Sequence, residues 1–288
     1  MKKLLELLNK KGIKYLIQDN KITIDGNLNL RNRRIKALPE NLSINGDLIL
    51  THTKIEALPK NFSVSGDLDL RNTEIKTIPE KVFIGGYLYL TNTEIKALPK
   101  NFSISGSLNL ANTEITALPE SLSVKGDLNL TMTKIKVLPK NFFIGGSLYL
   151  GFTEIEALPE NFSIKGDLDL KYSKIKILPE NLSIGGKLNI ESTSIRELPD
   201  NLSVGTGLYL DIDKIQNIAY CKNCEDNSQT IFACWVNNGF AIQMNDFFGT
   251  FQEFEKMVDE KYSGKIAIEY KKLADTCIKE LTEKLKIL

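Results

Sequence analysis

The chain has 288 residues, of which 42% are hydrophobic and 25% are charged, a composition typical of a folded, water-soluble protein. Its 37 basic and 36 acidic residues give a net charge of +1. Neither a nucleic acid nor a membrane surface is therefore predicted as a partner, because both favour a basic excess. No run of about 18 apolar residues occurs, so no membrane-spanning helix is predicted.

The N-terminal segment MKKLLELLNKKG is predicted to form an amphipathic helix, with Leu4, Leu5 and Leu8 on one side. A glutamate and an asparagine interrupt its apolar residues, and no small-residue cleavage site follows. The segment therefore does not match a secretory signal. We interpret residues 1–25 as a capping helix and a first strand.

Residues 26–219 repeat one 20-residue unit, in which a glycine and a proline mark the phase. A fixed period of this length predicts a solenoid, in which each unit packs only on its neighbours. All nine prolines of the chain share one phase: Pro39, Pro59, Pro79, Pro99, Pro119, Pro139, Pro159, Pro179 and Pro199. The glycines share another: Gly26, Gly46, Gly66, Gly86, Gly106, Gly126, Gly146, Gly166 and Gly186.

One unit, residues 46–65, reads GDLILTHTKIEALPKNFSVS. Leu48 and Leu50 alternate with their neighbours, which predicts a strand with both leucines inward. An apolar pair before Gly66 extends this alternation, so the strand side is predicted to be broad, about nine residues in each unit. A glycine on the inward phase predicts a bend that has no room for a side chain.

A threonine follows each predicted strand, inside what we expect to be a tight turn. There its hydroxyl is predicted to bond backbone groups of adjacent turns, a structural role and not a catalytic one. The column comprises Thr53, Thr73, Thr93, Thr113, Thr133, Thr153 and Thr193, with Ser173 in the same slot.

The pattern LxLxxTxIxxLPxxLxVxG resembles the leucine-rich repeat, LxLxxNxLxxLP, in its short, twenty-residue bacterial and bacteriophage form, called LP-type. The resemblance covers about two-thirds of the chain and recurs in register, although threonine replaces the usual asparagine. It implies the α/β class and a solenoid with a parallel sheet on its concave side. It further implies that the sheet face binds a protein.

The outward strand positions vary between units, so we expect them to determine the choice of partner. The stretches VFIGGYLYL and FFIGGSLYL, 60 residues apart, carry unusual aromatic residues, and two more follow in a slot that is often asparagine. Exposed aromatic residues on a rigid surface commonly anchor protein interfaces. Tolerated drift and a three-unit duplication are the alternative explanations. The predicted partner-binding residues are Phe143, Tyr149, Phe152, Tyr172, Tyr87 and Tyr89.

The acidic outward residues Asp47, Asp67, Asp127 and Asp167 alternate with uncharged units, and we interpret them as solvated surface and not as a ligand row. His52, the single histidine, occupies a turn slot and is predicted to be an ordinary surface residue. A hydrolase mechanism based on histidine therefore has little support.

The sequence after the repeats predicts a ββαα module over residues 220–288. QTIFACWV and FAIQMN, joined by NNG, predict a hairpin. Thr250 and Glu253 form a capping box before one helix, and a last helix is predicted over about 267–285. The module either closes the end of the solenoid or carries a separate interaction.

Four cysteines lie outside the repeats, which are too few for a disulfide framework and favour a reducing, cytoplasmic setting. A protein delivered into a host cell would have the same composition. Cys221 and Cys224 form half a zinc site to which Cys234 adds a third ligand, but no well-spaced fourth ligand exists beyond the distant Cys277. We therefore predict neither a metal nor another cofactor.

Cys224-Glu-Asp226 matches the Cys-x-Asp pattern of secreted bacterial ubiquitin ligases, which also carry LP-type repeats. Those enzymes need a large helical catalytic domain, which 69 residues after the repeats do not supply. We predict a non-enzymatic protein-binding module without catalytic residues. The alternative is a ubiquitin-ligase-like effector, whose repeats bind the substrate and whose C-terminal cysteines are active.

Overall fold

A computed structural model describes residues 2–10, 12–224 and 229–286, with backbone alone at 2, 3, 223 and 224. The chain divides into two compact units, unit 1 (Met1–Glu154) and unit 2 (Ile155–Leu288). None of the described helices combines the length and the apolar character needed to cross a membrane.

Unit 1 begins with a helix and a hairpin and continues with repeat turns of two short strands each. Its elements are α1 (Lys2–Lys10), β1 (Tyr15–Gln18), β2 (Lys21–Asp25), β3 (Leu28–Asn29), β4 (Leu42–Asn45), β5 (Leu48–Ile49), β6 (Phe62–Val64), β7 (Leu68–Asp69), β8 (Val82–Ile84), β9 (Leu88–Tyr89), β10 (Ser103–Ile104), β11 (Leu108–Asn109), β12 (Ser123–Val124), β13 (Leu128–Asn129), β14 (Phe143–Ile144) and β15 (Leu148–Tyr149).

Unit 2 contains further repeat turns, a four-stranded antiparallel sheet and two helices. Its elements are β16 (Ser163–Ile164), β17 (Leu168–Asp169), β18 (Ser183–Ile184), β19 (Lys187–Asn189), β20 (Ser203–Val204), β21 (Gly207–Tyr209), β22 (Ala219–Cys224), β23 (Gln229–Val236), β24 (Gly239–Met244), β25 (Phe247–Gly249), α2 (Phe251–Lys261) and α3 (Gly264–Leu285).

Equivalent residues of successive turns pair in parallel, so Leu48 lies opposite Leu68 and Leu108 lies opposite Leu128. We call the strands that carry these leucines the face strands: β3, β5, β7, β9, β11, β13 and β15 in unit 1, and β17, β19 and β21 in unit 2. The inward leucines have no exposed surface, and burying each contributes about 1.5–3 kcal/mol. The predicted leucine-rich-repeat solenoid is confirmed.

The alternation predicts one broad strand in each turn, but the structure has two short strands there. A second series, which we call the flanking strands, precedes the face strands and pairs separately; β4, β6, β8, β10, β12 and β14 belong to it in unit 1. Residues 65 and 66 form a bend between β6 and β7. An added Cβ at Gly66 would lie 2.1 Å from Asp47 Oδ1 and 2.9 Å from the Gly46 carbonyl carbon. The predicted bend without side-chain space is confirmed, and it divides the strand.

The threonine hydroxyls point into the turn, but they do not bond adjacent turns as predicted. Thr113 Oγ1 donates to the carbonyl oxygen of Leu110, three residues earlier in its own turn, at 2.7 Å. Thr73, Thr93, Thr133, Thr153 and Thr193 repeat this bond at 2.6–2.7 Å. A hydroxyl two bonds from the backbone reaches its own turn more easily than a neighbouring one.

We expect Thr113→Val to lower the free energy of unfolding by about 1–2 kcal/mol, because a buried carbonyl loses its hydroxyl donor. The matched control is Thr53→Val, since the buried Thr53 hydroxyl has no partner among the described residues. That change should be nearly neutral. Urea denaturation of both variants measures the difference, and equal losses would contradict the role of the hydrogen bond.

The predicted N-terminal helix is confirmed, with Leu4 and Leu8 buried and Leu5 half-buried. The predicted first strand is a hairpin, β1 antiparallel to β2, and β2 continues in parallel to β4. Asp19 and Asn20 close the hairpin with positive φ, as a two-residue turn requires.

The C-terminal hairpin β23–β24 and both helices are confirmed, but the sheet has four strands and not two. β22 and β25 form its two edges. β22 is partly polar and β25 has only three residues, so neither shows the alternating pattern that predicts a strand. The capping box is present: Glu253 N donates to Thr250 Oγ1 at 3.3 Å, and Thr250 N donates to Glu253 Oε2 at 2.8 Å. Phe254 and Tyr270 lie in the core between the helices and this sheet.

Candidate functional site

The first outward residue of many face strands holds the next turn in place. Asp47 Oδ1 accepts a hydrogen bond from Asp67 N, and Asp127 Oδ1 accepts one from Ser147 N, at 2.8 and 2.7 Å. Asn27 and Ser107 make the same bond with different side chains. Carboxylate, amide and hydroxyl oxygens can therefore all accept this backbone hydrogen bond. The acidic row thus has a structural role, which the sequence did not reveal.

The second outward residue usually closes a turn after the strand. Asn109 Oδ1 accepts from Ala111 N at 3.0 Å, and Asn129 Oδ1 accepts from Thr131 N at 2.9 Å. This is the side-chain-to-backbone turn that asparagine and aspartate favour. Tyr89, Tyr149 and Tyr209 occupy the same position and cannot make that bond. A turn with one of these tyrosines therefore lacks the stabilising side-chain hydrogen bond that asparagine or aspartate makes at this position.

A groove of about 270 Å³ opens on the face strands of unit 1. Tyr89 pairs with Asn109, Asn109 with Asn129, and Asn129 with Tyr149. The two tyrosines are therefore three strands apart, a spacing of about 14 Å. We call this site the tyrosine groove, and it is lined by Tyr87, Tyr89, Ser107, Leu108, Asn109, Asp127, Asn129 and Tyr149.

One wall of the tyrosine groove is braced by neighbouring side chains. The rings of Tyr87 and Tyr89 meet edge to face with centroids 6.0 Å apart, and the Arg71 guanidinium lies 5.2 Å from the Tyr89 centroid. Arg71 also donates two hydrogen bonds to the Asp69 carboxylate, at 3.0 and 2.6 Å. Burial acts to raise the pKa of Asp69, but hydrogen bonds from Arg71 and Thr51 outweigh it and lower that pKa. Asp69 thus stays ionised and keeps Arg71 in place.

The predicted residue Phe143 does not line the tyrosine groove. It lies on the flanking strand β14, where it pairs with Ser123, and the bend at Gly145–Gly146 separates it from Tyr149. Its side chain is 51% exposed. The structure therefore brings Tyr87, Tyr89 and Tyr149 together and places Phe143 on the neighbouring sheet.

Phe152 occupies a left-handed corner after its face strand, with φ 57°. Asn72, Asn92 and Asn112 occupy the same corner in other turns and form an amide ladder. Met132 also stands in this slot, with φ 58° and 57% of its side chain exposed. Large apolar side chains are unfavourable in this conformation. Sequence reasoning missed Met132, although its departure from the asparagine column was the available signal.

The other predicted residue, Tyr172, belongs to unit 2. It occupies the equivalent left-handed corner with φ 58°, and Lys171 Nζ lies 5.5 Å from its ring centroid. His52 has the same corner conformation and is exposed, as predicted for a surface residue.

Three C-terminal cysteines have described side chains, and of these Cys221 is half-exposed. Cys234 and Cys277 are buried, and burial raises the pKa of Cys234 to about 12, which keeps its thiol protonated. The Cys224 side chain and residues 225–228 lie outside the described part of the chain. Among the described residues no cluster of three potential metal ligands occurs.

No protein-family model and no curated protein matches the sequence. YopM from Yersinia enterocolitica WA-314 is a solved structure similar to this chain, with 15% sequence identity and a TM-score of 0.35. The match covers 64% of this chain and 55% of the YopM chain, so it spans about half of that protein. Similarity at this level assigns the chain neither an activity nor a partner.

Proposed function

We propose that this chain is a non-enzymatic module that binds a protein partner through the tyrosine groove. The observation that supports this proposal is the groove itself, which joins Tyr87 and Tyr89 on one wall to Tyr149 on the other. Residues 60 positions apart in the sequence thus form one concave, aromatic-walled surface on a regular sheet.

The lining of the groove has the chemistry of a protein-recognition surface. Tyrosine, serine and asparagine predominate in it, and the same residues are enriched in antibody combining sites. Tyrosine supplies a large contact area with few rotatable bonds, while asparagine supplies adaptable hydrogen bonds. Among the described residues, the Nδ2 groups of Asn109 and Asn129 have no acceptor, so both are available to a bound main chain.

The groove is also preorganised, because its floor is fixed by the repeat. Asn109 and Asn129 are each held by a backbone N–H two residues later, and Asp127 is held by Ser147 N. Side chains that are already ordered lose little entropy when a partner binds. The proposed binding therefore requires no rearrangement of the face strands.

We expect Tyr149→Ala to weaken partner binding by about ten- to a hundredfold, as loss of a central aromatic anchor does. The melting temperature should change little, since Tyr149 is half-exposed and makes no turn hydrogen bond. The wild-type chain first captures partners from host-cell lysates, and mass spectrometry identifies them. Calorimetric titration of one purified partner then compares wild type with Tyr149→Ala.

Two variants make this test specific. Val137→Ala removes a side chain that is 71% exposed in unit 1 but does not line the groove, so it should leave affinity unchanged. Phe143→Ala reports whether the neighbouring flanking sheet also contacts the partner. A partner that binds Tyr149→Ala as tightly as wild type would exclude the groove as its binding site.

A further inference from the structure

We infer that the partner inserts a lysine or arginine side chain into the tyrosine groove, against Tyr149 and above Asp127. This inference rests on the proposed function and specifies the chemistry that the groove recognises. It follows from a comparison of equivalent positions in the two units and from the charge of the face strands.

In unit 2 a lysine and a tyrosine on neighbouring face strands form a cation–π contact. Lys187 lies in the first outward position of β19 and Tyr209 in the second outward position of β21, 22 residues later. The Lys187 Nζ is 5.5 Å from the Tyr209 ring centroid. The same diagonal in unit 1 joins residue 127 to Tyr149, but there the chain carries an aspartate. At Tyr149 the chain therefore supplies a counter-charge for a cation instead of the cation itself.

Two other tyrosines of the repeats also have a cation near the ring, whereas Tyr87, like Tyr149, has none among the described residues. Tyr89 has Arg71 at 5.2 Å, and Tyr172 has Lys171 at 5.5 Å. Among the described residues no lysine or arginine lies over the ring of Tyr149. A cation over a tyrosine ring contributes about 0.5–1 kcal/mol at an exposed site and more when it is desolvated. The ring of Tyr149 thus lines the groove without a cation from the described part of the chain beside it.

The charges on the face strands of unit 1 also favour a basic side chain in the groove. The first two outward positions of unit 1 contain acidic residues and no lysine or arginine; the acidic residues are Asp47, Asp67, Asp69 and Asp127. Asp69 is paired with Arg71, which stands in the third position. Asp127 uses Oδ1 for the backbone bond to Ser147, and within the described part of the chain it has no ion-pair partner. Arg31 and Arg71 stand in the third outward positions, away from Asp127, so the part of the surface around Asp127 is the part complementary to a basic side chain.

The groove has room for a long side chain. Its volume of about 270 Å³ is slightly below the range of sites that enclose a whole small molecule, about 300–1,000 Å³. A long basic side chain can lay its methylene groups against the Tyr149 wall and place its charged end beside Asp127. A basic residue of an extended protein segment can therefore contact the Tyr149 ring and pair with Asp127 at the same time.

The test uses NMR titration of the full-length, isotope-labelled chain with N-acetyl-arginine methylamide. The matched probe is N-acetyl-citrulline methylamide, which has nearly the same shape but no charge. We expect saturable shifts of the Asn109 and Asn129 side-chain amides and of the Ser147 backbone amide with the arginine probe. The citrulline probe should bind roughly tenfold more weakly. Equal binding of the two probes, or no shift with either, would overturn the inference.

Two variants at residue 127 separate charge from structure. Asp127→Asn removes the charge but keeps the acceptor for Ser147 N, since an asparagine at the equivalent position 27 accepts the same bond from Asp47 N of the next turn. It should weaken binding of the arginine probe about two- to fivefold, because the ion pair is lost while the Tyr149 ring remains. Asp127→Lys places a cation where Lys187 stands in unit 2, and it should abolish the shifts by occupying the site. Binding that persists in Asp127→Lys would contradict the inference.

The same variants distinguish this inference from the proposed function. A captured partner that loses affinity with Tyr149→Ala, but binds Asp127→Asn as tightly as wild type, would leave groove binding valid and exclude the basic side chain. A partner affected by neither variant would remove both proposals. A partner weakened by both variants, with binding that also falls as salt is added, is the expected result.

Discussion

Replacement of Gly106 by alanine is expected to lower the free energy of unfolding by about 3 kcal/mol, near the upper end for overpacked sites. An added Cβ would lie 2.4 Å from the Gly86 carbonyl oxygen and 2.5 Å from its carbonyl carbon. It would also lie 2.9 Å from Cδ1 of Tyr87, which lines the tyrosine groove. Because the contacted atoms are mostly backbone, the turns must separate, and partner binding should weaken with stability.

The matched control for this prediction is Gly207→Ala, at a buried glycine of the repeats that has room for a methyl group. Its nearest neighbours to an added Cβ are Tyr209 Cε2 and Lys187 Cγ, at 3.7 and 3.8 Å. Urea denaturation followed by circular dichroism measures both variants, and the control should lose less than about 1 kcal/mol. Equal stability of the two variants would contradict the prediction. It would show that close stacking of the turns does not require glycine at position 106.

Phe254→Ala is expected to destabilise the C-terminal module by about 3–5 kcal/mol. Phe254 has no exposed surface, and its ring packs against Phe247 with centroids 5.5 Å apart. Removing the ring leaves a cavity between α2 and the four-stranded sheet. Hydrogen exchange should show lost protection in β23, β24 and α3, whose core residues surround this ring.

Ile268→Ala provides the control, because the Ile268 side chain is 70% exposed on α3. It should change stability by less than about 0.5 kcal/mol. Preserved protection of the β23 and β24 amides in Phe254→Ala would show that the ring does not hold the helices on the sheet. It would also mean that the cavity closes by local repacking.

The tyrosine groove was only partly predictable from the sequence. Tyr87, Tyr89 and Tyr149 depart visibly from the repeat, so the sequence predicts them as contact residues, but in two separate clusters. Asn109, Asp127 and Asn129 matched the common pattern and gave no signal. Phe143 gave the same signal as Tyr149, yet it lies on another sheet, because a bend that the alternation did not show separates the two.

Features that depend on neighbouring residues or on the repeat period can be predicted from the sequence. The inward leucines, the phase of the glycines, the amphipathic helix α1 and the Thr250–Glu253 capping box all follow from local pattern, because each depends on residues a few positions apart. Repetition then fixed the solenoid, since one unit cannot bury its own apolar residues.

How positions from different turns combine depends instead on the three-dimensional packing of the turns. Stacking at a 20-residue period brings Tyr89, Asn109, Asn129 and Tyr149 side by side, so a groove forms from residues that are far apart in the sequence. Three-dimensional packing also decides that β22 and β25 join the C-terminal sheet, because edge strands are defined by the partner they pair with and not by their own alternation. These are interactions between distant segments, whose outcome depends on backbone geometry that a linear pattern does not contain.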